Sequence, residues 1–192
     1  MSRPASRSDM VEVRMTPQPG ETDTCKLAAV IYGPEDDVDS LLADFADAAA
    51  RSGERIGGLV PRNVEVGANL SPAMQLIDLM TGQIIGISQP RGRNATGCRL
   101  DPAGLAEAAS AVTRAVEEGV ALVIVNKFSK QEAAGQGLRG EIALAVGAGV
   151  PVLTAVPEKC LDAWSAFAGG ESTTLACDDG AIAAWRAEVS AA

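Results

Sequence analysis

Gly33 and Ser40 stand at the two ends of "GPEDDVDS", directly after the apolar run "KLAAVIY". Their spacing matches the outer positions of the phosphate-loop pattern G-x-x-x-x-G-K-[ST]. There, backbone N–H groups and the lysine cradle phosphates, and the hydroxyl meets magnesium. In this chain Val38 replaces the second glycine and Asp39 replaces the lysine. At an effective dielectric of ~20 and a separation of ~4 Å, one charge pair is worth about 4 kcal/mol, so exchanging attraction for repulsion is a swing of up to about 8 kcal/mol. Val38 also adds a Cβ where a close phosphate needs bare backbone. Glu35, Asp36 and Asp37 oppose the positive helix end that would otherwise attract an anion. Ordinary nucleotide binding by this loop is therefore not expected. Asp36 and Asp37 read first as helix-start acids, and a magnesium cluster with Asp39 is the sharper alternative.

The opposite exchange follows the run "ALVIV". Phosphate-loop enzymes commonly place there an acid that holds magnesium, whereas this chain reads Asn126-Lys127. An Asp39–Lys127 salt bridge across the old ligand position is the resulting expectation. Further cations surround this edge. Arg91, Arg93 and Arg99 lie in the twelve-residue stretch "QPRGRNATGCRL", which has no acid, and Lys127, Lys130 and Arg139 flank a turn with Gly135 and Gly137. Guanidinium forks and exposed amides can bind a tetrahedral oxyanion; phosphate and sulfate suit such a site as well as any other. A solvated surface turn is the plainer reading of the three arginines. Cys98, beside Arg99, reads as a redox thiol, a soft-metal ligand or a small buried residue. Histidine is absent, which excludes Ser-His-Asp and Cys-His nucleophile systems and the common zinc sites.

Alternating strands and helices must position these residues. "KLAAVIY", "RIGGLV", "ALVIVN" and "VPVLTAV" read as buried strands, with a weaker one at 173–177. Val38, Leu41, Leu42, Phe45 and Ala49 form one helical face. Asp101-Pro102 opens a second helix, with Leu105, Ala109, Val112 and Val116 on one side and Gly119 at its end. A helix is expected near 138–146, a short one around Trp164 and a terminal one from Asp178. "MQLIDLM-TG-QIIGIS" carries a hairpin signal at Thr81-Gly82. The fold class expected is α/β: a three-layer, mostly parallel sheet, degenerate P-loop NTPase-like, with a β-hairpin excursion. Ligands of such sheets bind beyond the carboxyl ends of the strands, where the loops from Gly33, Asn126 and Pro157 should meet.

The chain of 192 residues suits one α/β domain over 25–192, preceded by a polar, flexible tail over 1–24. No signal peptide and no apolar run of membrane length is legible, and a cytoplasmic protein is expected. The net charge of −9 and aromatic content of 3% argue against nucleic acid or an acidic membrane as partner. Cys25, Cys98, Cys160 and Cys177 form no C-x-x-C pair and are expected as free thiols.

The segments "GPEDDVDSLL", "GGLVPRN", "LIDLMTGQIIGISQ", "GCRLDP" and "VNKFSKQEAAGQGLRGEIALAVGAGVPVLTAV" resemble a bacterial domain-of-unknown-function family. Members of that family are often encoded beside molybdate-transport genes. The resemblance runs from about Leu27 to the C-terminus. More distantly, the chain is similar to the cancer-related nucleoside triphosphatases, which carry a G-K-T loop and an I-D-E-x-G-x-M-E segment. The I-D-E acids of that pattern fall on Asn126 and Lys127, and its later acid is kept as Glu132. These departures strike the phosphate lysine and the magnesium acid. The resemblance implies a molybdate- or tungstate-type oxyanion, or a nucleotide-like molecule, as ligand.

Three functions follow as expectations. The first is a non-hydrolysing anion-binding protein in molybdenum homeostasis, with Lys127, Lys130, Arg91, Arg93, Arg99 and Arg139 as charge partners. The second is a magnesium-dependent nucleoside triphosphatase with a rearranged site, using Ser40 with Asp39 or Glu132. The third is a regulatory partner of a molybdate-transport or cofactor-assembly protein, without a small ligand. Alanine-rich helices also leave a homo-oligomer open.

Overall fold

Apolar runs that read as buried strands lie side by side and parallel: β1 (Leu27–Tyr32), the first part of β2 (Ile56–Val64), β5 (Leu122–Val125) and β6 (Val152–Pro157), with the shorter β7 (Thr173–Leu175) at one edge. The computed structural model describes residues 25–64, 73–89 and 100–191. The expected tail over 1–24 and the candidates Arg91, Arg93, Cys98 and Arg99 lie outside the described residues.

Strands β3 (Ala73–Asp78) and β4 (Ile84–Gly86) extend the sheet antiparallel, in the order β4-β3-β2-β5-β6-β1-β7. β2 changes partner along its length. Ile56–Gly58 pair with β5, and Leu59–Val64 pair with β3. Gly58 makes the change possible: its φ is +96°, and a Cβ there would lie 2.1 Å from the Ile124 carbonyl oxygen. No other residue fits that approach. The strand runs further than the Arg55–Val60 segment expected from apolar content, because Pro61 and the polar residues after it pair with the hairpin rather than with the parallel core.

The hairpin signal at Thr81-Gly82 has a physical anchor in Asp78. This carboxylate, 0% exposed, accepts hydrogen bonds from the Met80 N–H (3.0 Å) and the Thr81 Oγ1–H (2.6 Å). It also forms an ion pair with Arg114.

Side chains alternate between two cores, as strand geometry requires. Ala28, Val30, Leu122, Ile124, Leu153 and Ala155 face helices α1 (Val38–Arg51) and α6 (Asp179–Ala191). Ala29, Val123, Val125, Val152 and Val156 face helices α2 (Pro102–Glu117), α4 (Arg139–Gly147) and α5 (Leu161–Ala168). The helices thus cover both faces of the sheet, and three layers result.

In α2 the buried line is Gly104, Ala108, Ala111, Val112 and Ala115. Of the expected face, Val112 lies on this line, and Leu105, Ala109 and Val116 lie at its half-buried margin. Small residues at the centre let the helix approach the sheet, and larger ones flank it: a Cβ on Gly104 would sit 2.0 Å from the Gly86 carbonyl oxygen. Cys25, Cys160 and Cys177 are free thiols. Among the described residues no helix is long and apolar enough to cross a membrane.

Candidate functional site

The exits of β1, β5 and β6 lie on one edge of the sheet, because these strands are parallel and in register. At the β1 exit the chain supplies its own anions. The Gly33 N–H donates to Asp36 Oδ2 at 2.7 Å. Asp37 is the N-cap of α1; it accepts from the Ser40 N–H at 3.2 Å and from the Ser40 Oγ–H at 2.7 Å. The hydroxyl and backbone bonds from Ser40, with a smaller contribution from Lys127, hold the Asp37 carboxyl below its ordinary value. The Gly33 and Ser40 N–H groups, placed where other loops meet a phosphate, therefore meet carboxylates here. Glu158, just past β6, adds another acid: its Oε1 would lie 3.7 Å from a Cβ placed on Gly33.

At the β5 exit, Lys127 reaches across the end of β6 to α1. Its Nζ lies 2.7 Å from Asp39 Oδ1, with the two side chains 27% and 22% exposed. The same ammonium sits 5.6 Å above the ring of Tyr32, within cation–π range. Burial, and then the charge of Asp39, push the Tyr32 phenol up to about 12. The next residue anchors the loop: the Phe128 N–H donates to the Ala155 carbonyl at 2.9 Å. Its buried ring packs against Trp164 and Phe167, at centroid distances of 5.1 and 5.2 Å.

Beyond Phe128, one turn of helix, α3 (Lys130–Ala133), precedes the expected turn at Gly135 and Gly137. Ser129-Lys130-Gln131-Glu132 is a capping box. The Glu132 carboxylate accepts from the Ser129 N–H at 2.9 Å and from the Leu138 N–H at 3.1 Å. It clasps both ends of the segment. Gly137 makes room for it, with φ +61° and a would-be Cβ 2.0 Å from Glu132 Oε1. Arg139 is turned away from the edge: its guanidinium lies 4.6 Å over the Phe167 ring, and Nη1 donates to the Glu132 carbonyl at 3.2 Å.

A cleft of about 570 Å³ opens between the β5 exit and the β2–β4 hairpin. One wall is apolar, with Met74, Leu76, Ile87 and Leu105. The other is polar, with Asp39, Asn126, Lys127, Lys130 and Gln131. Lys130 is exposed and has no ion-pair partner among the described residues. Asn126 Oδ1 is shut off from solvent and has no hydrogen-bond partner among them. Among the described residues no three His, Cys, Asp or Glu side chains converge to hold a metal ion.

The family model described as "Protein of unknown function (DUF2478)" matches residues 27–185. The chain belongs to the DUF2478 family. It is 56% identical, over 165 residues, to the Molybdenum import ATP-binding protein ModC 2 of Bradyrhizobium diazoefficiens. That match covers 86% of this chain and 18% of the relative, so the chain spans less than a fifth of that protein's length. Among solved structures it is similar to THEP1 from the hyperthermophile Aquifex aeolicus. The TM-score is 0.57 at 14% identity, and the match covers 85% of this chain and 96% of the other. The likeness is one of fold: the mostly parallel α/β sheet that the alternation of strands and helices predicted.

Within this DUF2478 chain, the structure brings Asp39, Asn126, Lys127, Lys130 and Glu132 to one cleft. The expected Asp39–Lys127 pair is present. Gly33 and Ser40 stay on the neighbouring rim, with Gly33 lining a separate hollow of about 230 Å³ beside Tyr32 and Glu158. Arg139, expected as a charge partner at this edge, does not line the cleft, because the Phe167 ring and a backbone carbonyl hold it. Arg91, Arg93, Arg99 and Cys98 lie outside the described residues. The apolar wall was missed by the sequence reading. Its signal was the alternation in "MQLID", where one side of a hairpin must face something other than water.

Proposed function

We propose that this chain is a non-hydrolysing ligand-binding module on a P-loop-type fold, taking an anionic ligand at the Lys127–Lys130 edge and serving molybdenum import. The observation that carries this reading is the exchange of charge between two loops. Asp39 holds the lysine position of the phosphate loop, and Lys127 holds the acid position and pairs with it. A triphosphate with magnesium does not fit the β1 loop. Asp36 already satisfies the Gly33 N–H, Asp37 satisfies Ser40, and the nearest cation is neutralised. A phosphate entering there would displace carboxylates and meet their charge.

The rearranged-hydrolase alternative asks Ser40 with Asp39 or Glu132 to hold magnesium. Each of these groups is committed elsewhere: Ser40 to Asp37, Asp39 to Lys127, and Glu132 to two backbone N–H groups. Among the described residues Lys130 is the cleft cation without an ion-pair partner, with charge to offer an anion of molybdate or tungstate type or bearing a phosphate.

The link to molybdenum import rests on the ModC 2 relative, in which a closely similar stretch forms part of a much longer chain. Joining two modules in one chain replaces a bimolecular encounter with a high effective concentration. This motivates a transport ATP-binding protein as the partner here. Calorimetry with molybdate, tungstate, phosphate and ATP tests the ligand. Saturable heat from at least one, weakened by Lys130→Glu, is expected; heat from none would end the reading.

A further inference from the structure

We propose that the cleft between the β5 exit and the β2–β4 hairpin receives a nitrogen heterocycle of purine size carrying a phosphate tail. The inference rests on the reading above, that this edge binds an anion, and names the ligand class. Size comes first: about 570 Å³ falls within the range of small-molecule sites, and a bare tetrahedral oxyanion of five heavy atoms would leave most of it empty.

The chemistry of the two walls comes next. Met74, Leu76, Ile87 and Leu105 offer nothing to an inorganic anion and suit the face of a flat ring. On the opposite wall the Asn126 amide oxygen has no hydrogen-bond partner among the described residues. A buried acceptor left unpaired is costly. Because no described residue donates to that oxygen, turning it toward the cleft breaks no hydrogen bond among them. It then accepts from a ring N–H or exocyclic amino group. Lys130, exposed on the same wall, lies where a tail pointing to solvent would place its phosphate. This site is separate from the loop at Gly33 and Ser40, whose donors are already bonded to carboxylates.

The test is calorimetry of the whole chain with AMP and GMP, their nucleosides, inorganic phosphate and molybdate, on wild type, Asn126→Leu, Lys130→Glu and Ser40→Ala. One nucleotide is expected to bind one-to-one, with its nucleoside weaker. Lys130→Glu should weaken the nucleotide about tenfold and the nucleoside less than twofold. Asn126→Leu should weaken both about tenfold without lowering the thermal midpoint, since it removes an unpaired acceptor. A midpoint that falls instead would mark the amide as structural and overturn its role.

Saturation by molybdate or phosphate with no binding of either nucleotide would overturn this inference and leave the anion reading standing. Heat from no probe would remove both. Nucleotide binding that survives both substitutions but is lost in Ser40→Ala would move the ligand to the β1 loop, and the inference would fail.

Discussion

Lys127 leaves a buried strand and meets the carboxylate of Asp39, joining the β5 exit to helix α1. The pair is partly buried, so it is worth more than a fully exposed one and is screened less by salt. Lys127→Glu is expected to cost about 1–2 kcal/mol, from the lost pair and the new repulsion. Adding Asp39→Lys should recover most of it. Urea unfolding of the four proteins measures this; strictly additive effects would contradict the contact.

Tyr32 reports on the same place and is the chain's single tyrosine. Its phenol ionises at 10.0 when unfolded and at about 12 when folded, through burial and the Asp39 charge. The folded state therefore keeps a proton that the unfolded state loses. This stabilisation is intact below pH 10 and is lost as pH rises from there through about 12. Phenolate absorbance should give a midpoint near 12 that falls in Asp39→Asn; a midpoint near 10 would contradict the geometry. Both partners of the ion pair were legible in the sequence, because Asp39 and Lys127 stand where a comparison with the phosphate-loop pattern expects the opposite charge. The carboxylate bonds to Gly33 and Ser40 were half legible: Asp36 and Asp37 read as helix-start acids, but the N–H groups they bond depend on how the loop turns.

At the level of elements, the segment between β5 and α4 is held by one buried carboxylate serving two backbone donors. Glu132→Gln keeps the shape but offers one acceptor oxygen, and sets an amide N–H₂ against the other donor. A loss of about 1–3 kcal/mol is expected from the unpaired N–H, read as a lower thermal midpoint. An unchanged midpoint would mean that the clasp is unimportant. S-x-x-E at Ser129–Glu132 was a visible capping signature, yet the glycine content around it suggested only a loop.

The strands were legible for a plain reason: runs such as "ALVIV" are buried on both faces of a parallel sheet and need no partner information to recognise. The second half of β2 was not legible, since its pairing is with a hairpin and its composition is mixed. The centre of the α2 face was also misjudged. Apolar size marks the margin of that helix, while Gly104 and alanines mark the close approach.

Across the whole molecule, the strand order puts β6 between β1 and β5, so Asp39 and Lys127 meet over its end. On the far side of Lys127 the antiparallel hairpin supplies an apolar wall that a purely parallel sheet would lack. The architecture thus holds two neighbouring regions of opposite character: a β1 exit loop whose Gly33 and Ser40 donors bond its own carboxylates, and a two-faced cleft with a cation in it. The fold class was readable from element order alone. The cleft was not, because its walls come from segments far apart in the chain, Met74 to Leu76 and Asn126 to Gln131.

The loop at Gly33 and Ser40 is expected to be closed to nucleoside triphosphates. Phosphate release from ATP and GTP with magnesium, followed on the wild-type chain and on Ser40→Ala, tests this most directly. The account predicts a wild-type rate no greater than that of buffer, unchanged by the substitution. Magnesium-dependent turnover that disappears in Ser40→Ala would contradict it.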